Sequence, residues 1–112
     1  MKTMVAWRIH RYGGADALVC DAVPIPIAGP GDLLVRVNAA SVNPIDWKIR
    51  EGMLAAAMPL DLPKTLGRDC AGEVLAVGEG VTGFAVGDHV LGIATPGRDG
   101  THAGMALVAA GQ

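Results

Sequence analysis

Between Thr65 and Ala94 the chain reads TLGRDCAGEVLAVGEGVTGFAVGDHVLGIA, with glycine at 67, 72, 78, 80, 83, 87 and 92. An isolated helix needs roughly ten or more uninterrupted residues to repay its nucleation, and each interior glycine costs about 1 kcal/mol relative to alanine. That spacing excludes a helix from this segment. The residues between the glycines are rich in Val, Ile and Leu, which favour extended backbone. Short strands divided by bends and tight turns follow, and glycine at this frequency predicts a small, tightly curved barrel.

The remainder reads the same way with one exception. MVAWRIHRY and ALVCDAVPI are short runs rich in β-formers, separated by GGADA, which predicts two paired strands and a turn. PIPIAGPGD places three prolines and two glycines in nine residues and marks a rigid surface loop. LLVRVNAASVN then predicts a third, partly buried strand. The exception is NPIDWKIREGMLAAAM. Asn43 stands as an N-cap, Pro44 at the first helical position and Asp46 at the third, with Ile45, Ile49 and Met53 at four-residue intervals. A short helix is predicted, ended by Gly52, after which MPLDLP returns the chain to extended structure. The fold class expected is mainly β with one or two short helices. No linker, repeat or low-complexity tract divides the 112 residues, so one domain is expected over 1–112.

At 51% hydrophobic the chain can fill a core without disulfides. Its net charge of −2 and 4% aromatic content supply neither the basic field nor the stacking surface that nucleic acid requires. Arg8, His10 and Arg11 interrupt the stretch where a secretory signal carries its apolar core, and no run approaches the roughly 18 apolar residues of a membrane span. A cytoplasmic protein without membrane partner is expected. Cys20 and Cys70 form no C-x-x-C pair and are expected to be buried thiols. His10, His89 and His102 lie at no spacing that puts two ligands on one helix face, so no metal site is expected.

Gly78, Gly80 and Gly83 spell G-x-G-x-x-G after an apolar run. In a dinucleotide fold the last glycine opens a helix whose N–H groups face the pyrophosphate. Here Gly87, Gly92, Pro96 and Gly97 follow too closely for such a helix. GEGVTG is therefore read as a turn between strands, and no nucleotide-binding unit is visible.

Two blocks carry a family resemblance. GRDCAGEVLAVGEGVTGFAVGDHVLG, Gly67 to Gly92, resembles the G-x-D-x-x-G-x-V and V-x-x-F-x-x-G-D-x-V pattern of the medium-chain dehydrogenase/reductase superfamily. AASVNPIDWKIREG, Ala39 to Gly52, resembles the N-x-x-D segment of its zinc-independent quinone oxidoreductase and enoyl reductase branch. HRYGGADAL and PIAGPGDLLVRVNAA are similar to the same branch. The resemblance implies a GroES-like, partly open β-barrel forming the N-terminal part of a catalytic domain. In the family a Rossmann domain that holds NADPH follows in the same chain, and it is not among these residues. The zinc alcohol dehydrogenases carry a Cys ligand at the position matching Asn43 and a His at the position matching Arg68, so the resemblance also implies no catalytic zinc.

The implied chemistry is hydride transfer from NADPH to a small-molecule quinone or enone. By resemblance Asn43 faces nicotinamide and substrate, with its amide donating to a carbonyl. Asn43 as a helix cap, with Asp46 completing the first turn, would equally explain both residues. Trp47 and Tyr12 border the pocket in relatives, or simply pack. Lys48 is a candidate for the anionic cofactor, or part of a solvated face. Arg68 reaches a substrate carbonyl or pairs with Asp69. Relatives carry Glu and Tyr where this chain has Gly104 and Met105, which predicts relaxed constraint that loosens the last strand, or a degenerating reading frame. Three functions stay open: part of an NADPH-dependent oxidoreductase inactive until joined to a Rossmann-domain partner, a stand-alone binding module that self-associates through an open sheet edge, or a truncated functionless product.

Overall fold

The computed structural model describes residues 2–57, 59–95 and 97–111. Met58, which opens the predicted extended return, and Pro96, read as a helix breaker, lie outside them. The strands are β1 (Thr3–Ile9), β2 (Leu18–Pro24), β3 (Asp32–Ala40), β4 (Lys64–Thr65), β5 (Asp69–Val77), β6 (His89–Ile93) and β7 (Met105–Ala109), with one helix, α1 (Pro44–Arg50). They form two sheets, ordered β2-β1-β4 and β6-β5-β3-β7. The architecture is mostly β, two sheets that form a barrel left partly open rather than closed. The GGADA turn holds a single 3-10 turn, Ala15–Ala17, and the strands on either side pair antiparallel from Thr3 with Pro24 to Ile9 with Leu18.

The larger sheet curls because β3 and β5 are out of step twice. Their register shifts between Leu34 and Val35 and again between Val37 and Ala39, and each bulge adds twist. The curl brings the end of β6 across to β7, where Thr95 N–H bonds the Leu107 carbonyl at 3.0 Å and Ala94 bridges Val108. Leu33, Val35, Cys70, Val74 and Val108 fill the interior thus enclosed. A second cluster, Ile9, Ala17 and Leu66, is covered by Tyr12, Ile49 and Leu60, and it seats α1 on the smaller sheet. GEGVTG lies in the loop joining β5 to β6, with no helix behind it.

The two sheets meet along Gly100–Gly104. Gly100 N–H bonds Thr65 O at 2.9 Å, His102 N–H bonds Leu66 O at 3.0 Å, and Trp7 N–H bonds His102 O at 2.9 Å. Gly104 N–H then bonds Val5 O in one sheet while its carbonyl accepts Val37 N–H from the other, both at 2.9 Å. The looseness expected at Gly104 and Met105 is therefore not found. The backbone at 104 holds both sheets, and Met105 opens a strand in register with Arg36. Two further expectations are corrected. Cys20 is exposed, because it lies on the outward face of β2, and only Cys70 is buried. Met53 is 61% exposed because it lies beyond the end of α1.

A Cβ at Gly72 would run into the Arg36 carbonyl at the bulge, whereas one at Gly80 meets nothing but requires a positive φ of 80°. Gly72→Ala is expected to cost about 1–3 kcal/mol by overpacking and Gly80→Ala about 1 kcal/mol by backbone strain, measured by urea unfolding. On the smaller sheet, Asp21 accepts His10 Nε2 at 2.7 Å and Arg8 Nε at 2.9 Å. The His10 hydrogen bond, then that of Arg8, hold its carboxyl below the ordinary aspartate value. A depressed carboxylate contributes stability above its unfolded pKa of about 3.9 and loses it as pH falls through the lower folded value. Thermal melts of Asp21→Asn are therefore expected to fall less steeply below pH 4 than those of the parent.

Candidate active site

The helix α1 begins where local chemistry dictates. Asn43 adopts extended backbone, φ −112° and ψ 158°, and Pro44 fills the first helical position without losing a bond. The Asp46 carboxylate accepts Asn43 N–H at 2.8 Å, and Asp46 N–H bonds the Asn43 carbonyl at 2.9 Å. Asp46 is only 4% exposed, so this bond satisfies a charge that burial would otherwise penalise. The helix ends at Gly52, whose φ of 84° suits glycine and whose missing Cβ leaves room for the Tyr12 ring.

The residues just before the helix are held from two other elements. Ser41 donates its hydroxyl to Asp69 on β5, and Asn43 Nδ2 donates to Ser41 Oγ at 3.2 Å. His102 Nε2 lies 3.0 Å from the Ser41 carbonyl. A carbonyl only accepts, so Nε2 is the protonated ring nitrogen.

Two hollows flank this network. One, of about 660 Å³, is lined by Asp46, Ile49, Leu60, Arg68, Ile93 and Thr95 among others. The other, shallower and about 610 Å³, is mainly apolar and includes Ala40, Ser41, Asp69, Cys70, Leu91 and Ile93. Asn43 lines neither, but it bonds one residue of each: its backbone N–H bonds Asp46, which lines the first, and its side-chain amide bonds Ser41, which lines the second.

Of the residues singled out from sequence, Asp46 and Arg68 share the larger cleft. Tyr12 lies in the packed cluster behind it, where its hydroxyl accepts Leu60 N–H at 3.3 Å. Lys48 Nζ sits 5.8 Å from the Trp47 ring centroid, and neither residue lines the cleft. The expected Arg68–Asp69 pair does not form. Successive residues of extended chain point to opposite sides, and the Asp69 carboxylate is engaged by Ser41. Arg68 is exposed and has no ion pair among the described residues. Sequence reasoning missed Ser41, His102 and Ile93 as members of this region. Nothing local marks them, because their partners lie on other strands.

The described residues contain no group of three His, Cys, Asp or Glu side chains placed to hold a metal ion. Nor do they fit a dinucleotide. The Gly78–Gly83 loop runs on to β6, and the seven-residue α1 is capped by its own Asp46 carboxylate, so no helix N-terminus is open to a pyrophosphate.

Residues 29–111 match the alcohol dehydrogenase GroES-like domain. The chain belongs to this family. A chloroplastic quinone-oxidoreductase homolog of Spinacia oleracea is 39% identical over 95% of this chain and 32% of its own. The solved quinone oxidoreductase of Coxiella burnetii superposes with a TM-score of 0.87 at 34% identity, over 96% of this chain and 35% of that one. A mycobacterial protein solved in complex with NADPH superposes with a TM-score of 0.83 at 33% identity, over 96% and 30%. The GroES-like chain thus spans about a third of the length of these relatives. No helix among the described residues is long and apolar enough to cross a membrane. A cytoplasmic location is not common to the relatives, since the spinach protein is chloroplastic.

Burial, and then the neighbouring Asp69 charge, push the Cys70 thiol above its ordinary value. Cys70 therefore stays protonated and shielded, while Cys20 is open on β2. Brief iodoacetamide treatment of the folded chain at pH 8 is expected to alkylate Cys20 and spare Cys70, as read by peptide mass spectrometry. Equal labelling would mean that the interior of the larger sheet opens readily.

Proposed function

We propose that this GroES-like domain forms the substrate side of an oxidoreductase that reduces a small-molecule quinone or enone with NADPH and without zinc. The observation that carries the reading is Asn43. By the family resemblance a zinc alcohol dehydrogenase carries a Cys ligand at this position, whereas this chain places there an asparagine whose backbone N–H bonds Asp46 and whose side-chain amide bonds Ser41. Arg68 likewise stands in place of a His ligand. Similarity to quinone oxidoreductases and to a protein solved with NADPH supports the substrate class and the cofactor.

NADPH, when bound in the complete enzyme, supplies the hydride. The residues of this chain orient the acceptor. One Asn43 N–H is spent on Ser41, and the other, without a partner among the described residues, donates to a carbonyl oxygen as negative charge develops there. Arg68, uncommitted at the rim of the larger cleft, attracts the same class of oxygen. Ile49, Leu60 and Ile93 provide apolar wall for a ring or enone carbon. Asp46 acts through Asn43 by holding the cap, and Tyr12 supports the wall through Leu60. Trp47 and Lys48 form the outer edge of α1, where Lys48 offers a cation to the anionic cofactor.

Titration of this chain alone with NADPH, followed by nicotinamide fluorescence, is expected to show no binding at micromolar concentration, since the pyrophosphate has no seat here. In the complete enzyme, Asn43→Ala is expected to lower kcat/KM about a hundredfold, as loss of an oxyanion donor does, while costing about 1 kcal/mol of stability as a lost cap. Losses of stability and turnover in equal measure would reduce Asn43 to a helix cap. A second reading, a module that associates through its sheet edge, is favoured by Leu91 and Ile93 exposed on the edge strand β6. Concentration-dependent light scattering without nucleotide affinity would select it.

A further inference from the structure

Ser41 and Asp69 have no part in the chemistry so far, yet the hydrogen bonds that link Asp69 through Ser41 to Asn43 run in one direction only. A carboxylate accepts and cannot donate, so the single Ser41 hydroxyl proton points to Asp69. Ser41 Oγ is thereby left as an acceptor on its remaining side, and the atom of Asn43 that faces it at 3.2 Å must be a donor, Nδ2. An asparagine amide without such a neighbour is free to present either oxygen or nitrogen. An oxygen turned toward a carbonyl that is gaining negative charge would repel it. The backbone on both sides is also held, by His102 Nε2 on the Ser41 carbonyl and by Asp46 on Asn43 N–H. Asp69 is in turn kept in place by its register with Ile93 on β6.

We infer that Asp69 and Ser41 are positioning residues that fix the orientation of the Asn43 amide, holding its nitrogen on the Ser41 side so that the second N–H stays available to a substrate carbonyl. The inference rests on the reading of Asn43 as a carbonyl donor. It adds an ordered series, Asp69 to Ser41 to Asn43, in which β5 sets the polarity of a side chain at the start of α1.

The chain contains two asparagines, Asn38 and Asn43, and one glutamine, Gln112, so its nitrogen-labelled spectrum holds three side-chain amide pairs. In the folded chain the Asn43 pair is expected to exchange with solvent more slowly than the Asn38 pair. Ser41→Ala and Asp69→Ala are expected to bring Asn43 to the behaviour of Asn38, and Ser41→Thr, which keeps the hydroxyl, to preserve the parent pattern. The backbone spectrum of each variant reports whether it is folded, and Ser41→Ala decides the matter if Asp69→Ala is not. An Asn43 pair unchanged by Ser41→Ala would overturn the inference. In the complete enzyme, Ser41→Ala is expected to lower kcat about tenfold, the worth of one hydrogen bond, with KM little changed and no further loss in an Asn43→Ala background. If Asn43→Ala itself leaves kcat intact, the donor reading fails while the spectrum still decides orientation. If Asn43→Ala slows turnover and Ser41→Ala adds an independent loss, positioning fails and the donor reading stands.

Discussion

The two sheets of this domain are held in register by backbone-to-backbone contact along Gly100–Gly104, and the rest of the fold depends on that seam. The segment bonds to Thr65 and Leu66 on one side and to Val5 and Trp7 on the other, and its last carbonyl accepts Val37 N–H from the larger sheet. At Gly67 and Gly100 the approach is too close for a Cβ. A Cβ at Gly100 would collide with the Leu66 and Gly67 carbonyls, and one at Gly67 with Thr101 and His102. Hydrogen bonds of this kind contribute only about 1 kcal/mol each, but leaving them unmade in a buried seam costs more. Gly67 and Gly100 are thus a condition of assembly rather than a source of flexibility.

The seam also places the candidate site. His102 lies within it and reaches the Ser41 carbonyl, so the chain leading into α1 is tied to the junction of the sheets. Asp69, at the first residue of β5, ties the same chain to the larger sheet through the Ser41 hydroxyl. The smaller sheet supplies the third support, since Ile49 and Tyr12 pack on the Ile9 cluster and Gly13 N–H bonds the Arg50 carbonyl at 2.9 Å. A seven-residue helix has little stability of its own. Here it is positioned by three elements, and Asn43 sits where their contacts converge.

Local chemistry was legible from residues alone. Asn43, Pro44 and Asp46 announce a helix start because capping depends on neighbours within one turn, and Gly52 marks the stop because its positive φ suits only a few residue types. GEGVTG was readable as a turn for the same reason: a following helix would need residues that the next glycines deny it. Arg68 was misread. Adjacency to Asp69 suggests an ion pair, but extended backbone sends neighbouring side chains apart, and Ser41 claims the carboxylate from 28 positions away. Gly104 was misread as slack because a backbone role between two sheets leaves no trace in residue type.

The sequence by itself determined the short strands, the single capped helix and the exclusion of a dinucleotide helix, because each depends on steric and hydrogen-bonding preferences within a few residues. Tertiary structure alone decided that Cys20 is exposed and Cys70 enclosed, that Tyr12 packs behind the cleft, and that Asp69, Ser41, Asn43 and His102 form one network. Those outcomes depend on which strand edges meet and on two bulges that curl the larger sheet, so the partners are distant in sequence and no local pattern carries them.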